Sequence, residues 1–325
     1  MASTDGERPS FSVVVPAYNT EKFIRDALDS IDNQTYRPIE IIMVDDGSTD
    51  DTLATARSWS SRSGIRTNIV AQCNSGAGAA RNAGIRAASG SWIAFLDSDD
   101  VYMPDALETF ANAASCFPTI RWLGADFSEW DASLENVFVQ SLRDRQRVRT
   151  ILEPAFQSNT PMIIEDSGKV FLDVILTWTG VVAARRDLLL EVGGFNENLR
   201  EAQDIHLWIR LGLITPFLFI PKRVACYRRR EGSTTNSNRP PRGGAKAAYR
   251  ALVREGQVGS WSAVWRRRMA EFDLQDAGFY ITRRVPHLAL WSILKSISYG
   301  SWNMTFWSRA IRLTARSIKK LVVGA

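Results

Sequence analysis

The sequence predicts an α/β protein with a mostly parallel sheet flanked by helices, extended at its carboxyl end by further helices. Three observations predict it. From Phe11 to Asp97, apolar β-branched runs alternate with stretches of helical periodicity, the pattern of strands joined by crossover helices. Acidic clusters fall where those runs end, at the edge where open α/β sheets place their ligands. Charge is split along the chain: residues 241–325 carry 15 Lys+Arg and 4 Asp+Glu, net +11, while residues 1–240 carry 25 and 31, net −6, giving +5 for all 325 residues.

Residues 1–10 are polar and expected to be disordered. Phe11-Ser12-Val13-Val14-Val15, stopped by Pro16, reads as a first buried strand. Between Glu21 and Gln34, Ile24, Ala27, Leu28 and Ile31 recur at helical spacing on one face. A second strand, Ile39 to Val44, ends in Asp45-Asp46-Gly47-Ser48, and Ser48 with Asp51 suggests a capping-box-like start to a helix carrying Leu53, Ala56 and Trp59. A weaker strand, Asn68 to Ala71, leads into a Gly- and Ala-rich stretch, Asn74 to Gly90. The buried strand Trp92 to Leu96 then delivers Asp97-Ser98-Asp99-Asp100, before a helix that Pro104 opens.

Beyond Ala114 the pattern blurs. Strands are expected at Ile120 to Gly124 and Thr179 to Ala183, and helices ending at Val192 and running from Gln203 to Leu211. Residues 131–170 read as polar and irregular, with Arg143, Arg145, Arg147 and Arg149 on a solvated face. A Ser-, Asn-, Pro- and Gly-rich linker, 236–244, separates a body at 11–235 from a basic, Trp-rich helical tail at 245–325.

Cys73, Cys116 and Cys226 lie far apart and in no metal-ligand spacing, which suits a reducing compartment. No signal-peptide pattern and no run of ~18 apolar residues is present, so a cytoplasmic protein is expected. Within the tail, residues 303–323 place Trp307, Ile311, Thr314, Ile318, Leu321 and Val322 on one helical face and Arg309, Arg312, Arg316, Lys319 and Lys320 on the other. Such a helix lies in the surface of an anionic membrane. The segment 283–325, with Trp291 and Trp302 as interfacial anchors, would place the protein on the inner face of the plasma membrane. Packing of this helix on the body is the alternative.

Three carboxylates crowded at a strand end repel one another and call for a cation. Hard oxygen ligands suit Mg²⁺ or Mn²⁺, which can bridge to nucleotide phosphates. A solvated acidic helix start is the plainer reading of Asp97-Ser98-Asp99 taken alone.

Four clusters in this order weigh more than one. Ser12-Val13-Val14-Val15-Pro16-Ala17-Tyr18-Asn19, Val44-Asp45-Asp46-Gly47-Ser48-Thr49-Asp50, Gly78-Ala79-Ala80-Arg81-Asn82-Ala83-Gly84, Asp97-Ser98-Asp99-Asp100, Gly193-Gly194-Phe195 and Gln203-Asp204 together resemble the family 2 glycosyltransferases of the GT-A fold, over roughly residues 10–235. The resemblance implies an inverting transfer of a sugar from a nucleotide-diphospho-sugar, a UDP-sugar being favoured, to a hydroxyl of a glycan or lipid-linked acceptor. Extracellular polysaccharide or lipopolysaccharide synthesis would be its setting. By the same resemblance, residues 11–125 form the nucleotide-sugar half and 126–235 the acceptor half.

Residue by residue, the resemblance assigns Pro16, Ala17, Tyr18 and Asp46 to the base and ribose pocket, and Arg81, Asp97 and Ser98 to the donor. Asn82 would share the donor-facing helix with Arg81. Asp99, with Asp97, would hold Mn²⁺ or Mg²⁺, and Asp204 would be the catalytic base. Trp178 and Gln203 fall on the acceptor side. Each has a plainer reading: Asp46 as a turn residue before Gly47, Arg81 as a salt bridge to the acidic cluster, Asp204 as a helix-start acid, and Trp178 as core. His206 is read as structural. Two departures stand out, Gln203 where relatives carry Glu and Arg230 where many carry His.

Competing functions fit less well. A sugar nucleotidylyltransferase needs a Gly-rich, Arg- or Lys-bearing loop after the first strand, and Pro16-Ala17-Tyr18-Asn19 offers none. A catalytically silent nucleotide-sugar binder would have lost Asp99 or Asp204. Nucleic-acid binding rests on the basic tail alone.

Overall fold

The computed structural model describes residues 8–229, 243–300, 308 and 310–315. The chain divides into two compact units, residues 1–230 and 231–325. The N-terminal residues 1–7, most of the linker, Arg230, and Trp302, Trp307, Arg309, Arg316, Ile318, Lys319, Lys320, Leu321 and Val322 of the expected amphipathic helix lie outside the described residues.

The first unit starts with β1 (Phe11–Ala17), whose seven residues are all buried, as expected of a strand covered on both faces. Helix α1 (Ile24–Asp32) buries Ile24, Ala27, Leu28 and Ile31, the face its periodicity predicts. Strand β2 (Glu40–Asp45), helix α2 (Thr52–Ser60), strand β3 (Thr67–Ala71), helix α3 (Ala77–Ala87) and strand β4 (Trp92–Phe95) follow. The expected capping box at Ser48 does not form. Instead Asp50 accepts from the Thr52 amide at 3.0 Å, and the Ser48 hydroxyl accepts from the Asn19 amide at 3.0 Å.

After β5 (Val101–Tyr102) and α4 (Ala106–Cys116), strand β6 (Trp122–Trp130) runs longer than the sequence suggests. The stretch read as irregular holds β7 (Val137–Val139), α5 (Gln146–Ser158), β8 (Met162–Ile164) and α6 (Ser167–Asp173). Three of its four named arginines pair with acids, Arg143 with Glu153, Arg145 with Glu129 and Arg147 with Asp173. The strand expected at Thr179 begins at Val182 as β9 (Val182–Arg185), because Thr179–Val181 forms a 3₁₀ turn. Helices α7 (Arg186–Glu191) and α8 (Gln203–Ile214) lead to β10 (Phe217–Arg228), a strand the sequence reading passed over.

The sheet order is β3-β2-β1-β4-β9-β6-β10-β5, with β7 on β6 and β8 on β10. Strands β1 to β4 are mutually parallel, in register Ala17 beside Asp45 and Val14 beside Phe95. Their carboxyl ends therefore bring Tyr18, Asp46 and Asp97 to one edge. Antiparallel β9 links β4 to β6, and β6 runs parallel to β10. Beneath this edge Phe95, Phe195 and Trp208 pack edge-on and Trp208 stacks on Trp122 at 5.9 Å. That aromatic core seats α8.

In the second unit α9 (Gly243–Arg254), α10 (Ser262–Thr282) and α11 (Pro286–Ser298) precede a short helical stretch over the described part of 308–315. Leu274, Ala277 and Ile281 of α10, Ala289 and Ile293 of α11, and Ala310 and Leu313 form one core. Among the described residues no helix is long and apolar enough to cross a membrane.

Candidate active site

Strand ends place the polar groups and α3 aims them. Pro16 and Ala17 are buried at the end of β1, and Tyr18 beyond them is 47% exposed. Asn19, in the left-handed region, ties this turn to the next one by accepting from the Thr49 amide at 2.8 Å. Tyr18 thus stands with about half its surface open at the sheet edge.

Asp46 is buried, and its carboxylate accepts three bonds of 2.8 Å, from the Gln72 side chain and from the Ser75 and Gly76 amides. Gly76 precedes the first turn of α3, so Asp46 satisfies backbone donors that the helix start leaves open. Beside it Gly47 has φ +76°, and a Cβ there would sit 2.8 Å from the Asn74 amide nitrogen. Asp46 is therefore more than a turn residue: it holds the loop that launches α3.

One and a half turns along α3, Arg81 is buried and pairs with Asp97 at 2.6 Å, its guanidinium 5.4 Å from the centre of the Phe195 ring. Its charge also reaches Asp204. Burial raises the Asp204 carboxyl above the usual Asp range, Arg81 and the Ile205 amide pull it down, and Asp97 pushes it up. The structure thus brings Asp97, Arg81 and Asp204 together although 107 residues separate Asp97 from Asp204 in the sequence. Asp204 opens α8, where the helix dipole favours a negative charge. Just before it Ala202 has φ +57°, a left-handed conformation that costs a non-glycine residue about 1 kcal/mol or more.

Asn82, next to Arg81, faces elsewhere. Its carboxamide oxygen accepts from the Phe195 amide at 2.8 Å, and its nitrogen donates to the Phe195 carbonyl and the Glu197 carboxylate at 2.9 and 2.8 Å. Gly194, with φ +69°, leaves room for it, since a Cβ there would overlap the Asn82 side chain. Asn82 clamps the Gly193-Gly194-Phe195 turn to α3.

The three acids after β4 diverge. Asp97 pairs with Arg81 through its Oδ1, and Asp99 is half-buried near it in the sequence. Asp100 is sealed inside, where its Oδ1 accepts from the Arg228 amide at 2.6 Å and its Oδ2 finds no partner. Burial, with Asp99 and Asp97 nearby, pushes its carboxyl well above the usual range. Ser98 is buried and its hydroxyl accepts from Thr20 at 3.0 Å.

Sequence reasoning missed Arg228, which donates to Asp26 and to the Ala132 carbonyl, both at 2.8 Å, with its guanidinium 4.9 Å from the Phe23 ring. Only the Tyr-Arg pair hinted at it. Trp178 lies half-buried between Phe127 and Tyr227, at 5.3 and 5.1 Å, and its ring fills the space a side chain at Gly180 would need. Gln203 is buried over Gly78 with its Oε1 unpartnered, and His206 is fully buried in the face of α8 that meets the core.

Among the described residues no group of three or more His, Cys, Asp or Glu is placed to hold a metal. An ion that shares its shell with donor phosphates needs only one or two carboxylates. Asp99, half-buried beside Asp97 at the open sheet edge, supplies that set. The residues fit such an ion.

Residues 12–119 match the model of Glycosyl transferase family 2. Chondroitin synthase of Escherichia coli is 32% identical over 221 residues, 68% of this chain and 29% of that protein. The chain spans less than half the length of the leading curated relatives it matches. Among solved structures, the mannosyltransferase PcManGT from Pyrobaculum calidifontis in complex with GDP-Man and Mn²⁺ superposes with TM-score 0.60 at 19% identity, over 97% of this chain and 87% of that one. S. aureus TarS 1–349 in complex with UDP-GlcNAc gives TM-score 0.56 at 19% identity over 89% of each chain. These likenesses show the fold, a GT-A sheet with helices beyond it.

Proposed function

Since this chain carries a family 2 glycosyltransferase domain, we propose that it transfers a sugar, with inversion, from a nucleotide-diphospho-sugar to a hydroxyl of a glycan or lipid-linked acceptor. The observation that carries this reading is the buried Arg81, paired with Asp97 at a strand end and close enough for its charge to act on Asp204 at a helix start. The setting is polysaccharide or lipopolysaccharide assembly in the cytoplasm, and UDP is the favoured nucleotide.

In this reading the exposed ring of Tyr18 stacks on the base and Pro16 and Ala17 form the pocket floor. Asp46 keeps the Gln72–Gly76 loop in place, and a carboxylate with three bonds made retains capacity for one more donor from base or ribose. Ser98 supports the turn from below. Asp97 and Asp99 would hold Mn²⁺ or Mg²⁺, which would neutralise charge on the departing diphosphate.

Asp204 accepts the acceptor hydroxyl's proton as that oxygen attacks the anomeric carbon from the side opposite the diphosphate. Burial raises the Asp204 carboxyl and Arg81 opposes that rise, favouring the carboxylate form the base needs. Trp178 and Gln203 border the acceptor, Trp178 with an aromatic surface that a sugar ring can cover.

Incubation with a panel of UDP-sugars and GDP-Man, with Mn²⁺, tests this directly. Release of nucleoside diphosphate with an inverted anomeric proton in the NMR spectrum of the product is expected. Formation of nucleoside triphosphate and sugar 1-phosphate when pyrophosphate is added to the donor, or a product of retained configuration, overturns it.

A further inference from the structure

The two faces of α11 obey different rules. At about 100° per residue, Ala289, Ser292, Ile293 and Ser296 share one side and are buried against the second unit's core. Across the helix, within about 120° of arc, stand His287, Leu288, Trp291, Leu294 and Ser298, all exposed. Trp291 is 59% exposed and Leu294 67%. Leu288, Trp291 and Leu294 thus form an exposed apolar stripe on the side of the helix turned away from that core.

The charge around that free face has one sign. Lys295 lies on it with its ammonium 4.7 Å from the Trp291 ring. Arg283 and Arg284 are exposed just before the helix. No Asp or Glu follows Asp276 anywhere in the sequence. Thirteen residues span about 20 Å as a helix, too short to cross ~30 Å of hydrocarbon but long enough to lie along its surface.

We propose that the Leu288–Trp291–Leu294 face of α11 seats the chain on an anionic lipid surface, with Arg283, Arg284 and Lys295 at the phosphate level. Trp at the interface, bases in the headgroups and apolar side chains below them is the arrangement such surfaces stabilise. A nucleic acid would match the bases but not the exposed Leu288 and Leu294 side chains. The inference goes beyond the catalytic reading and does not depend on it.

Flotation of the full chain with vesicles of phosphatidylcholine alone and of phosphatidylcholine with phosphatidylglycerol tests it. Binding is expected to the anionic vesicles only, and to weaken with salt. Trp291→Ser with Leu294→Ser should lower partitioning about 30- to 100-fold, while Trp291→Phe should stay within a few-fold of wild type. Both positions are exposed, and an unchanged circular dichroism spectrum and melting temperature establish that the double variant is folded. Equal binding to neutral vesicles overturns the proposal. So does wild-type binding by the double variant, which would move the contact to residues 301–325. Concentration-dependent dimers that the double variant abolishes, without lipid binding, would assign the face to a second copy instead.

Discussion

Each unit sets two aspartates near one buried cation, and the two trios differ in how they meet water. In the first unit Arg81 is nearly buried, but Asp97 keeps 21% of its side chain exposed and Asp204 is half-buried at a helix start. In the second unit Lys246 donates to Asp273 and Asp276, whose side chains are 1% and 3% exposed. Burial opposes the Lys246 charge, yet the bonds to both aspartates outweigh it and hold the ammonium above its ordinary value. The charge arithmetic is the same. An open trio can exchange protons and partners with a ligand, whereas a sealed one can only hold helices α9 and α10 together.

The contrast predicts that changes at the open site move turnover and leave stability, and that changes at the sealed one do the reverse. Asp99→Ala, beside the open trio, should abolish transfer, and added Mn²⁺ should not restore it; full wild-type activity in EDTA would break the metal assignment. Asp204→Asn is nearly isosteric and should cut turnover by about 10²- to 10⁴-fold, with the melting temperature unchanged. In the wild type, activity should fall as pH drops through a value above 3.8, because burial raises the Asp204 carboxyl.

Lys246→Met should do the opposite. It removes the ammonium that two buried carboxylates share, and removal of one partner from a buried pair costs about 3–5 kcal/mol, read as a shift in denaturant midpoint. Turnover per folded molecule on a soluble acceptor should hold. A Lys246 variant as stable as wild type would show that the second trio is not sealed. The smallest effect is one of pH. Because the folded pKa of Lys246 is raised, its stabilising contribution is complete below the unfolded value of about 10.4 and is lost as pH rises through the higher folded one. Unfolding followed as pH rises past about 10.4 should show that loss in the wild type and not in Lys246→Met.

Much of the first sheet was legible because a buried parallel strand must be a continuous apolar run, and β1, β2 and β4 are. Strand β10 was not, since Pro221, Lys222 and Arg223 interrupt it where its register shifts against β6. The acids were found as residue types at strand ends. What each does was hidden, because their partners are remote in sequence: Asp46 bonds residues about 30 positions away, and Asp100 meets the Arg228 amide 128 positions on. Asn82 looked like a donor-facing group, and no local pattern reveals that Phe195, 113 residues on, takes both ends of its amide.

That amide has a consequence for anyone recombining such enzymes. The Asn82 clamp crosses the boundary between the stretch expected to read the donor, 11–125, and the stretch expected to read the acceptor, 126–235. Gly194 must stay bare for it to close. A chimera that takes its first half from one parent and its second from another inherits half of an interlock. Crossovers that keep Asn82 and Gly194 from the same parent should yield folded hybrids, and those that separate them should fail whenever the new partner at position 194 carries a side chain.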